Sequence, residues 1–166
     1  MADYPAKSSP ELDYLRSTFE HRATWLYFLV KSAMDNGESL DFAHKAIFNC
    51  GCFHGLNKYP KTDDLKEFTK TFTDPHVVDA FEMEVQENTD ERMYIEFHYC
   101  PLVEAWKKLT DDKELIAQLC DIAMDGDRGI VSQYANFDFE LGRTIAKGDP
   151  VCEVCVRRRQ AEEQGK

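Results

Sequence analysis

The sequence predicts an α+β fold: a helical N-terminal half, then a four-stranded antiparallel sheet of two hairpins with helices inserted between them. Three observations carry that prediction. Apolar residues recur at helical spacing through the first 78 residues. The period drops to two between Phe81 and Cys100. After a second helical stretch it returns to two at Phe137–Leu141 and Val151–Arg157. At 166 residues the chain reads as a single domain, with helices over 9–78, sheet and inserted helices over 79–158, and a disordered tail over 159–166.

Each element has its own signal. Ser9-Pro10 is an N-cap and first-turn pair, and Leu12, Leu15, Phe19, Ala23, Leu26, Phe28 and Val30 follow at helical spacing until Gly37. A second helix starts at Ser39, with Phe42, Ala46, Ile47 and Phe48 read as its inner face; Gly51, Gly55 and Pro60 are expected to end or bend it. Asp63 to Phe72 is a short amphipathic helix, and Pro75 opens one more turn. Phe81, Met83 and Val85 then alternate with Glu82, Glu84 and Gln86. After the turn residues Asn88-Thr89-Asp90, Met93, Ile95, Phe97 and Tyr99 alternate with Tyr94, Glu96, His98 and Cys100. Pro101 closes that strand because it has no N–H for the ladder. Leu102 to Leu109 is helical, as is Asp111 to about Tyr134, with an expected interruption at Gly126 and Gly129.

Composition narrows the function. An apolar fraction of 43% with 12% aromatics indicates a globular chain. A net charge of -11 repels phosphates and anionic lipid, which argues against nucleic-acid and membrane partners and leaves a small-molecule substrate or ligand; a homo-oligomer is compatible. The one basic run, Arg157-Arg158-Arg159, is followed by Glu162-Glu163 and reads as a solvated terminus. Met1-Ala-Asp-Tyr-Pro lacks a basic start and an apolar stretch, so the expected location is cytoplasmic. In that compartment the six cysteines stay reduced, as core groups, metal ligands or reactive thiols.

Four sets of residues are candidates for chemistry. Period two puts Glu96, His98 and Cys100 on the polar face of a strand whose other face is plain core. Free Cys is more often buried than displayed, so a Cys beside a His on that face suggests a pocket. His98, Cys100, Cys120 and Cys152 have the right donor chemistry for zinc, although their spacing is no finger or ribbon signature; the plain alternative is four packing residues. Cys50-Gly-Cys52 reads as glycine-driven packing, and Cys152-Glu-Val-Cys155 sits on a strand, away from the helix N-terminus that redox pairs use. Asp125-Gly-Asp127-Arg128-Gly129 is either a solvated helix or a pocket rim in which Arg128 grips a carboxylate and Asp127 orients water or an amine. Arg143 and Lys147 are further anion-binding candidates. His21, His44, His54 and His76 have no partner that spacing defends.

Three ordered blocks occur together: His98-Tyr-Cys-Pro-Leu-Val-Glu-Ala-Trp106, Leu119-Cys-Asp-Ile-Ala-Met-Asp-Gly-Asp-Arg-Gly129 and Thr144-Ile-Ala-Lys-Gly-Asp-Pro-Val-Cys152. They resemble the L-2-amino-thiazoline-4-carboxylic acid hydrolase-like family, over about Tyr94 to Arg158. More distantly, this half is similar to the 4-vinyl reductase domain of small-molecule sensors, whose Cys and Glu ligands hold zinc. Cys120 and Cys152 match two of those positions; the other two fall near Leu141 and Thr144, where the sequence departs. The resemblance implies a hydrolase that opens a cyclic isothiourea to N-carbamoyl-L-cysteine. It casts His98 as acid/base, Cys100 as nucleophile or ligand, Asp127 as an orienting carboxylate, Glu96, Arg128 and Arg143 as substrate contacts, and zinc as the one candidate cofactor. The alternative it implies is a non-catalytic, sensor-like binding domain.

Overall fold

The structure, a computed structural model, describes residues 5–159. Its first helix, α1 (Pro10–Asp35), begins as the sequence directs: Ser9 is extended and its hydroxyl accepts the Leu12 N–H at 3.2 Å. The helix stops at Asn36, and Gly37 turns the chain at φ 72, a conformation glycine adopts without a Cβ penalty. One face of α1 buries Ala23, Tyr27 and Val30, and α5 (Pro101–Lys107) packs on it. Trp106 of α5 is fully buried there and donates its indole N–H to the Ala23 carbonyl at 2.9 Å, so the largest core side chain carries no unmet donor.

The tightest contact in the molecule joins α2 (Asp41–Lys58) to α6 (Lys113–Val131). Both helices run straight through the glycines expected to interrupt them, and Phe42 and Ala46, expected on the inner face of α2, lie exposed because the glycine and His44 face is the one that meets α6. The reason is packing: the glycines are where the two backbones touch. A methyl group added at Gly51 would lie 2.0 Å from the Gly126 carbonyl oxygen, and one at Gly129 2.1 Å from the Phe48 carbonyl oxygen. Gly55 meets Ile130 and Gln133 in the same way, so the two helices run side by side in the same direction.

The sheet has the order β1-β2-β4-β3, with β1 (Met83–Asn88), β2 (Arg92–Phe97), β3 (Phe137–Leu141) and β4 (Cys152–Arg158) antiparallel to each neighbour. Register brings Ile95 opposite Val154 and Phe97 opposite Cys152. Met93, Ile95, Phe97, Cys152, Val154 and Val156 form its inner face and enter a core shared with the helices. α3 (Leu65–Phe72) adds Leu65, Phe68 and Phe72 to that core, and α4 (Pro75–Phe81) adds Ala80 and Phe81.

Two features of β1 differ from the periodicity. Phe81 closes α4 instead of opening β1, because Glu82 takes the left-handed conformation (φ 48) that caps the helix. The Glu82 carboxylate is buried and accepts N–H bonds from Ala6 (3.0 Å), Lys7 (3.1 Å) and Arg16 (2.7 Å), and Arg16 also donates to the Ala80 and Lys7 carbonyls. Burial raises the Glu82 pKa, but these donors more than offset it and hold the carboxyl below its usual range. Second, β1 breaks register between Val85 and Glu87, and Val85 is half-exposed on this edge strand where alternation placed it inside. The expected tail beyond Arg159 lies outside the described residues.

The glycine contact makes a sharp prediction. Gly51→Ala and Gly129→Ala each force backbone apart and should each destabilise by about 3 kcal/mol. Gly126→Ala meets nothing nearer than the Ile47 side chain at 3.8 Å and should be neutral or gain up to about 1 kcal/mol from helix propensity. Urea unfolding of the three variants checks the contrast.

Candidate active site

The α2–α6 contact has a chemical result one turn along. His44, Gly51 and Gly55 are spaced by seven and four residues, so they share one face of α2. Asp121, Asp125 and Gly129 share one face of α6 by the same argument. With the glycines in contact, His44 Nδ1 lies 2.6 Å from Asp125 Oδ2. Arg128 donates to the other Asp125 oxygen at 2.7 Å, to Asp121 Oδ1 at 2.7 Å and to the Asp121 carbonyl at 2.9 Å. Asp125 is thus buried and bonded on both oxygens. Its contact fixes Nδ1 of His44 as the donor nitrogen, which leaves Nε2 as an acceptor.

His44 opens into a cleft of about 400 Å3 lined by Leu40, Ala117, Gln118, Asp121 and Lys147. Lys147 comes from the 3-10 turn Ile145–Lys147, which Asp149 shapes by accepting the Thr144 N–H at 3.1 Å. Lys147 makes no ion pair with the described residues. The cleft therefore offers a carboxylate-held imidazole, a cation and an amide side chain within one small space.

The sequence candidates divide into three places. Glu96, His98 and Arg143 lie on or beside the sheet face away from the core. Tyr94 reaches Glu153 at 2.8 Å and Glu96 at 3.1 Å, and His98 Nε2 is 3.4 Å from Glu84 and 3.8 Å from Glu96. Arg143 donates to Glu153 through its side chain (2.8 Å) and backbone (2.9 Å); these bonds, with Tyr94, hold the Glu153 carboxyl down to about 2. Burial and the two carboxylates push the Tyr94 phenol up to about 12. Cys100 leaves this face, because β2 ends at Phe97 and Cys100 becomes the residue before α5. It joins Cys120 and Cys152, each close enough to feel another's charge. Burial, then the nearby Cys152, pushes the Cys100 thiol up to about 12, although the Val103 and Leu102 N–H groups pull it down. Burial also raises Cys120 and Cys152.

Asp127 is in a third place. Arg22 and Tyr59 are its charged and polar neighbours, and burial lifts its pKa to about 6 against the pull of Arg22 and Arg128. Arg128, expected to grip a ligand carboxylate, instead grips Asp121 and Asp125. Among the described residues no three His, Cys, Asp or Glu form a group that could hold a metal ion. His44 is the residue that sequence reasoning missed, and Asp125 lies in a candidate stretch that gave it no role of its own. The signal was present: each shares a helix face with a glycine of the seam.

The chain is an α+β domain with a helix-held His–Asp pair beside an open cleft. Residues 16–156 match the L-2-amino-thiazoline-4-carboxylic acid hydrolase family, and the chain belongs to it. No curated protein matches the chain. Among solved structures it is similar to a trafficking protein particle complex subunit 3 from Naegleria fowleri, described as covalently bound to palmitic acid. That similarity has a TM-score of 0.58 and 15% identity, over 87% of this chain and 97% of the other, so it is a likeness of fold. Among the described residues no helix is long and apolar enough to cross a membrane.

Two expectations follow from the titrating groups. The folded Asp127 carboxyl titrates near pH 6 and the unfolded one near its ordinary value of 3.8, so native stability falls as pH rises from about 4 to 6. Asp127→Asn should flatten that fall and gain roughly 1–3 kcal/mol at pH 7, with no gain below pH 4, read from urea melts across pH. Iodoacetamide at pH 8 should label exposed Cys50 at least tenfold faster than Cys100, as peptide mapping would show.

Proposed function

We propose that the chain is a hydrolase that opens a small cyclic C–N/C–S compound such as 2-amino-thiazoline-4-carboxylate, with His44 as the general base. The observation that carries this reading is the 2.6 Å His44–Asp125 contact at the cleft. Family membership supports the substrate class. The base must sit within hydrogen-bond reach of the water it activates, and Nε2 of His44 is the nitrogen left for that role.

In this mechanism Lys147 binds the substrate carboxylate and places the ring carbon between sulfur and nitrogen over His44. Water adds to that carbon as His44 Nε2 takes one proton, giving a tetrahedral intermediate. The carbon–sulfur bond then breaks, and the departing sulfur takes the proton back from His44. The other water proton passes to the ring nitrogen as the carbonyl forms, which yields N-carbamoyl-L-cysteine. Asp125 supports the imidazolium that forms in between, and Arg128 holds Asp125 in place.

A second reading has its own observation: His98 lies beside Glu84 and Glu96 at one end of the Tyr94–Glu153–Arg143 network, a polar arrangement on the sheet. There His98 would be the acid/base and Arg143 the anion contact, while Cys100, Asp127 and Arg128 would support the fold.

Thiol release from 2-amino-thiazoline-4-carboxylate, followed with Ellman's reagent after subtracting the protein's own thiols, separates these readings. We expect His44→Gln to lower kcat by about 10²–10⁴-fold. Lys147→Ala should raise KM more than it lowers kcat, and His98→Gln should leave kcat within about threefold. Full activity in His44→Gln with loss in His98→Gln would move the site to the sheet. No release at high enzyme would remove this substrate, though not the enzyme class.

A further inference from the structure

Among the described residues, eight of the nine large apolar side chains that stay exposed lie on α1 and α2. Their spacing is regular. On α1 the exposed positions Tyr14, Thr18, His21, Trp25, Phe28 and Ser32 follow each other by four and three residues in strict alternation. On α2 the exposed positions Phe42, Ala46, Asn49, Phe53 and Leu56 repeat the same alternation. A four-three repeat is the seam of one helix packed along another, and neither seam holds a formal charge in a chain that is 31% charged.

Each seam is opposite a face already in use. The α1 seam lies across the helix from Ala23, Tyr27 and Val30, which pack into the core. The α2 seam lies across from His44, Gly51 and Gly55, which face α6. The two seams meet at a shallow groove where Leu29 of α1 and Phe42 of α2 both contribute to the lining.

We propose that this face is the interface of a homodimer, in which α1 and α2 of one copy pack on α1 and α2 of the other as a four-helix layer. Three points select a second copy. A heptad-like seam is complementary to a seam of its own kind, and a two-fold pairing brings the same two helices from each side. Tyr14, Trp25, Phe28, Leu29, Phe42, Phe53 and Leu56 are each at least half exposed. At about 200 Å2 for a large side chain, they present roughly 800 Å2, which is what each partner buries in a stable dimer. Finally, two chains of net charge -11 repel unless the contact is neutral, and these seams are. A lipid surface would call for a basic border, whereas Asp35, Glu38 and Asp41 flank the α1–α2 turn.

Light scattering after size exclusion at about 50 μM protein tests the pairing. The natural chain should run at twice its chain mass. Trp25→Glu combined with Phe53→Glu should run at the single-chain mass with an unchanged far-ultraviolet circular dichroism spectrum, while Val85→Glu should remain paired. Cys50, exposed on the rim of the α2 seam, gives a reading without substitution: its iodoacetamide rate should fall at least fivefold between dilute and concentrated protein. A natural chain at single mass, a pair that survives the double substitution, or a Cys50 rate independent of concentration would overturn the proposal. A single-mass chain that sediments with anionic or neutral vesicles would assign the face to lipid, and one that does not would assign it to a different protein; both outcomes reject the homodimer.

Discussion

The close approach of α2 to α6 governs the rest of the structure. Four glycines lie where these helices meet, and the separation they allow is set by backbone atoms. Backbone contact is stiff. A side-chain interface can repack by rotamer changes, but a carbonyl resting on a glycine Cα cannot. Register between the helices is therefore fixed along their length, and a hydrogen bond at one end inherits that precision. The His44–Asp125 contact is such a bond. Glycine's entropic penalty in a helix interior, near 1 kcal/mol per residue, is offset by the dispersion contacts and the alignment it permits.

Polar chemistry in this chain is sorted by the sheet. On the core side three thiols sit among apolar neighbours, and burial keeps them protonated. On the other side Tyr94, Glu96, Glu153 and Arg143 form a bonded network at the surface of the strands. The cleft with His44 belongs to neither. It opens at the end of the helical seam, where Lys147 arrives from the 3-10 turn ahead of β4. A nucleophilic thiolate would need a nearby cation or a helix N-terminus facing the sulfur strongly enough to defeat desolvation, and Cys100 lacks the first. An imidazole needs only a partner for one nitrogen and access to the other, and His44 has both.

Legibility in the sequence followed the range of the interactions involved. The α+β class, the two hairpins and most element boundaries depend on local periodicity and caps, and Ser9, Pro101 and the alternation of β2 announced them directly. The glycines were misread because a local rule treats Gly in a helix as a breaker. Gly51, Gly55 and Gly129 are explained only by a partner some 75 residues away. Cys100 was placed on the wrong surface for a related reason: alternation was extended past Phe97, where the chain turns into α5. His44 seemed isolated because its carboxylate is 81 residues distant. Tertiary partners of this kind leave only a faint trace, here a histidine and a glycine on one helix face.

The Arg16–Glu82 pair links chain entry to the middle of the fold. Glu82 sits in left-handed backbone at the corner between α4 and β1, and its carboxylate is held by Arg16 and by the N–H groups of Ala6 and Lys7. The minimal stable fragment is therefore set by charge balance as well as by helix packing. A fragment starting after Arg16 would keep most of the α1 core face, including Ala23, Tyr27 and Val30, yet strand a buried carboxylate without its counter-ion at the sheet's edge. Trimming the leading segment for crystallisation, or fusing a partner close to Pro10, disturbs a corner 66 residues downstream of Arg16. The second turn of α1 and the corner residue that precedes β1 are held as one unit.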